Sequence, residues 1–167
     1  MNFFAPSPAF ASLSFGEQLT LWALRMRRAA NDSGEVGVAK GDVILARAFA
    51  LVGAHGAERH ISEFLALVEV TAERGLALQA PAVPHIADDE LRLLGYIGAC
   101  QAGREKDLAN GLGRWLPPTG VRLAASQLAV YAAALSAQGL ALRSGHALAG
   151  GVERSAPASP ARRPTFH

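Results

Sequence analysis

The chain has 167 residues, half of them apolar, 7% aromatic and 18% charged, which excludes a chain disordered throughout and suits one globular domain. Sixteen basic against fourteen acidic residues leave a net charge of +2, too small an excess to argue for a dedicated nucleic-acid binder. A lone cysteine, Cys100, excludes an internal disulfide and any cysteine-based metal site.

Alanine occupies 34 positions and Thr is scarce, a composition that favours helices over sheets. Residues 1–13 hold two prolines and no period, and read as an N-terminal arm. From Ser14 the pattern turns helical: Phe15, Leu19, Trp22, Met26 and Ala29 share one face. Ser14 followed by Glu17 has the spacing of a capping box. Arg25, Arg27 and Arg28 fall in the last turns, where cations offset the carbonyl end of the dipole. The turn formers Asn31, Asp32, Ser33 and Gly34 end the helix.

A Gly-rich loop is then expected, with Asp42 capping a short second helix that runs to Val52. Ile44, Ala48 and Leu51 are its inward residues and Gly53 its terminator. A third helix carries the stripe Ala57, Ile61, Phe64, Leu65, Val68 and Ala72, closed by Gly75. Pro81 and Pro84 make Leu76 to Ile86 an extended, packed crossover. Asp88, Asp89 and Glu90 open a fourth helix with Leu91, Leu94, Ile97 and Gly98 inward, and Gly103 stops it. A fifth spans Glu105 to Leu116 on Leu108, Leu112 and Trp115, ended by Pro117 and Pro118.

Thr119 is the expected cap of a last helix reaching Leu142, 24 residues or about 36 Å long. Val121, Leu128, Leu135 and Leu142 recur every seven residues on it, while Ala125, Ala129, Ala133, Ala137 and Ala141 recur every four. Such an alanine row forms a flat ridge that lets a partner helix approach closely. The ridge meets either another helix of the same domain or its twin across a twofold axis. Because this helix outreaches the others, part of it is expected to need cover from another chain, and Ala133→Leu to overpack the ridge. Leu123 to Leu142 lacks charge, but Ser126, Gln127, Ser136, Gln138 and Gly139 interrupt it, so no stable membrane insertion is expected. Residues 143–167 read as a disordered basic tail.

The fold expected is all-α: a single domain over residues 14–142, an irregular bundle of about six helices with a long Ala-rich last helix. No internal repeat stands out. Both ends of the chain are basic, leaving about −3 for residues 31–142. His55, His60 and His85 with Glu58, Glu63 and Asp88 are the nearest approach to a metal site: His60 and Glu63 stand at i and i+3, a spacing that can share a metal, yet no pair of histidines shows the i and i+4 spacing with an intervening Glu. Cys100 reads as a small buried hydrophobe. Ser12, Ser14, Ser62 and Ser126 lack a nucleophile-elbow context. With no catalytic constellation and no cofactor implied, the expected function is that of a cytoplasmic, non-enzymatic interaction protein, an adaptor or regulator that self-associates. Its interaction residues would be Ala125, Ala129, Ala133 and Ala137, with Arg25 and Arg28. A nucleic-acid-binding transcriptional regulator and a metal-dependent enzyme are the alternatives.

Overall fold

The computed structural model describes residues 9–143 and Gly145. Six helices follow one turn of 3-10 helix at Phe10–Ser12: α1 (Phe15–Asp32), α2 (Gly34–Leu51), α3 (Ala57–Thr71), α4 (Asp88–Gln101), α5 (Glu105–Leu112) and α6 (Pro118–Ala137). No strand forms among the described residues, only an isolated antiparallel bridge between Ala9 and His85. None of these helices is long and apolar enough to cross a membrane.

The start of α1 follows its sequence: Ser14 Oγ accepts from Glu17 N, and the Glu17 carboxylate accepts from Ser14 N at 2.7 Å. The burial phase differs. Phe15 is exposed, whereas Leu21, Ala23, Leu24 and Arg25 are buried along with Leu19. This helix packs against α2, α3 and α4, so more than one face is covered.

The expected Gly-rich loop is helical. Only Ser33 separates α1 from α2, and Gly34 at φ +75° supplies the left-handed turn. Each helical glycine costs up to about 1 kcal/mol in propensity, yet here the packing needs them small. A Cβ on Gly41 would lie 2.7 Å from the Ala30 Cβ, and one on Gly37 2.8 Å from the Ala30 carbonyl oxygen. The glycines therefore set the close crossing of the α1–α2 hairpin. Asp42, expected as a cap, sits within α2 and pairs with Arg27. Gly41, Leu45 and Phe49 face inward, whereas Ile44 and Leu51 are exposed.

Three helices end alike. After α2, α4 and α6 a glycine at φ +69° to +79° turns the chain, and the next residue's N–H reaches back to a helix carbonyl: Ala54 to Phe49, Arg104 to Ala99, Leu140 to Leu135. This is the Schellman arrangement. Gly139 thus stops α6 at Ala137, giving 20 residues rather than 24, against 18 each for α1 and α2. Pro118 occupies the first turn, where its missing N–H costs nothing, so Thr119 is not the cap. The stripe expected on α3 is buried except for Ala72, which leaves the helix half-buried in extended geometry. α5 ends at Leu112, with Trp115 and Leu116 buried in the following turn.

α4 is covered on nearly all sides. α3 packs antiparallel along α6, with His60 Nδ1 2.6 Å from Gln127 Oε1 and Thr71 beside Gly120. Phe49 meets Tyr131 edge-on with ring centroids 6.0 Å apart, and the phenol bonds Thr20 Oγ1 at 2.8 Å. The expected arm and tail contribute to this body at their inner ends, since Leu13 is buried and Arg143 pairs with Glu17. The rest of the expected tail, Ser144 and residues 146–167, lies outside the described residues.

Candidate interaction surfaces

The three arginines near the end of α1 each face a carboxylate. Arg25 is fully buried; its Nε and Nη2 donate to Glu90 at 2.8 Å, and its remaining donors reach the carbonyls of Val83 and His85. Phe10 lies over the guanidinium. Arg27 pairs with Asp42, and Arg28 bonds Glu69 at 3.1 Å and the Leu76 carbonyl at 3.3 Å. Arg25 therefore presents nothing to a partner, contrary to its expected place in an interaction surface, because a buried guanidinium needs its counter-charge inside. Arg28 stays on the surface, where half-buried Arg28 helps hold α3 and the crossover to α1.

The acidic start of α4 does more than complement a dipole. Glu90 accepts the N–H groups of Gln79 and Ala87, and Asp89 accepts that of Ala77 together with Arg74. Two buried carboxylates thus organise the crossover from Leu76 to Ile86. Burial alone would raise the Asp89 pKa, but the Ala77 N–H and Arg74 outweigh it and hold it low. Glu17 behaves alike: against burial, Arg143 and the N–H groups of Ser14 and Arg143 bring its pKa down to about 2.

The alanine row divides. Ala125 and Ala129 are half-buried against the core, whereas Ala133 and Ala137 are exposed, and Ala141 lies beyond the helix end. A step of four residues advances the row by about 40° around a helix, so it winds away from the inward face formed by Ala124, Leu128, Tyr131, Ala132 and Leu135. The residues spaced by seven, Leu128 and Leu135, are the ones that reach the core. Leu142 is also buried, but from the segment beyond the helix end.

The histidines do not converge. His55 and His85 are exposed while His60 bonds Gln127, and no group of three or more His, Cys, Asp or Glu side chains suited to a metal occurs among the described residues. Burial, with Glu105 adding to it, raises the Cys100 thiol pKa and keeps it protonated. Between α1, α2 and α3, Arg27, Asp42, Glu58, Arg59, Ser62 and Glu63 line a mixed-charge cleft of about 410 Å³. Arg27 Nε and Glu58 Oε2, one donor and one acceptor, are shielded without a hydrogen-bond partner among the described residues.

The surface that sequence reasoning missed is the outer face of α2. Val36, Val43 and Leu51 are 68%, 69% and 81% exposed, Ile44 is 45% exposed, and a shallow apolar groove runs over Val36, Ala39, Val43 and Ile44 between Glu35 and Lys40. A signal for it exists. Gly34–Lys40 reads GEVGVAK and Gly41–Arg47 reads GDVILAR, two successive heptads matching as Gly, acid, Val, any residue, Val or Leu, Ala, base. On a helix the Val and Ala positions of these heptads form one seam, and Leu45 and Phe49 on the other side anchor α2 to the core. Compared with known proteins, the chain matches no family model, no curated protein and no solved structure.

Proposed function

We propose that this is a non-enzymatic interaction protein, an adaptor or regulator whose helical body presents a docking face to other protein. The observation that carries the reading is the outer face of α2: four large apolar side chains stand in solvent on a helix whose opposite side is firmly buried. Contiguous apolar surface on an otherwise well-packed domain marks a contact site more often than an accident of composition. The reading extends to a cytoplasmic setting, consistent with a single buried thiol. It places the contact on α2 in preference to the alanine row, because half of that row is spent on the core.

The test is chemical crosslinking in the native cell, comparing the wild-type chain with Val36→Glu and Val43→Glu. Both positions are exposed, so the fold tolerates the charge. Loss of crosslinked species with either variant is the expected outcome. An unchanged set of crosslinked proteins overturns the reading.

A further inference from the structure

Resting on that reading, we infer that the occupant of the α2 face is a second copy of this chain, paired in parallel about a twofold axis along α2. In heptad notation Val36 and Val43 take position a, Ala39 and Ala46 position d, Glu35 and Asp42 position g, and Lys40 and Arg47 position e. All eight are exposed. Val at a is compatible with two strands, Ala at d lets the paired helices approach closely, and the charges beside the seam decide orientation. Each g residue is an acid and each e residue five positions later is a base. A parallel pair of helices sets g of one copy beside the following e of the other, which aligns Glu35 with Lys40 and Asp42 with Arg47 twice over. An antiparallel pair sets e against e and g against g, juxtaposing Lys40 and Arg47 with their own kind and Glu35 and Asp42 likewise. The self-complementarity therefore selects both the partner and its direction.

Within the chain, Glu35, Lys40 and Arg47 enter no ion pair among the described residues, and Asp42 remains 57% exposed beside Arg27. The seam is two heptads long because a straight helix drifts by about 20° per heptad. Phe49, where a third g would fall, has turned into the core. So short a seam suffices for a reversible pair, since α2 is already folded on α1 and association need not order it.

Sedimentation of the full chain across a concentration series gives the test. The wild type should move from monomer to dimer and no further, and Val43→Glu should stay monomeric with an unchanged circular dichroism spectrum and the melting temperature the wild type shows at concentrations too low to pair. Glu35→Lys and Lys40→Glu should each weaken the dimer on the order of tenfold alone, and their equimolar mixture should restore it. Val36→Cys should crosslink to itself on mild oxidation while the unsubstituted chain, with Cys100 buried, does not. A monomer at every concentration, a dimer indifferent to Val43→Glu, or a mixture that fails to restore pairing overturns the proposal. A monomer that nevertheless loses its cellular crosslinks with Val43→Glu removes self-pairing and leaves the interaction reading standing.

Discussion

Arg25 and Glu90 form a buried ion pair that does two jobs in backbone bonding. The arginine satisfies two crossover carbonyls and the glutamate two crossover amides. Removing one partner strands the other, so Arg25→Met should cost about 3–5 kcal/mol in urea unfolding. Combining it with Glu90→Leu should not return wild-type stability, because four backbone groups then lose their partners. A fully restored double variant would show that the pair serves only itself. Glu17 governs the acid limb of stability. Its folded pKa of about 2 lies below the ordinary 4.5, so its contribution is complete above about pH 4.5 and is lost as pH falls towards 2. Asp89 shifts in the same direction and adds to that loss. Unfolding measured at pH 7, 4 and 2.5 should fall less steeply for Glu17→Gln than for wild type; identical slopes would place the acid sensitivity elsewhere.

Among the elements, α6 shows how a regular sequence feature divides between core and solvent. Ala132 is buried and Ala133 exposed. Ala132→Leu should therefore cost about 1–3 kcal/mol by overpacking, and Ala133→Leu should stay within about 0.5 kcal/mol, as read by thermal melts. The expectation of overpacking at Ala133 was built on spacing alone, and a row spaced by four cannot hold one face of a 3.6-residue helix for long. Local chemistry was more legible. The Ser14 and Glu17 capping pair, the stripe of α3 and the glycine stops after α2 and α4 form as the residues dictate. Gly139 carries the same stop signal, overlooked because Leu142 continues the heptad after the helix has ended. Gly34, Gly37 and Gly41 read as loop because propensity speaks for each residue alone, while the crossing that requires Gly37 and Gly41 to be small involves Ala30 of another helix, and Gly34 serves the left-handed turn between the two.

At the scale of the whole molecule, the all-helical class and the six helices were written in the apolar periods, each of which reports one buried face. The candidate docking face was harder to see because α2 carries two patterns at once. Its inward set, Gly41, Leu45 and Phe49, steps by four, while the outward heptads step by seven. Read as a single stripe, α2 offers Ile44 and Leu51, and neither belongs to the inward set. The buried carboxylates of α4 were equally hidden, since their partners come from Arg25, Arg74 and the crossover. One contact at the far end of the body has a topological consequence. Arg143 donates to Ser12 O at 3.1 Å while holding Glu17, so the polypeptide enters and leaves the packed helices through the same doorway. The covalent order of the helices is then separable from their spatial order: splicing residue 143 to residue 12 by a few glycines and cutting the exposed turn at His55 should give a circular permutant with the wild-type helix content, as circular dichroism would read it.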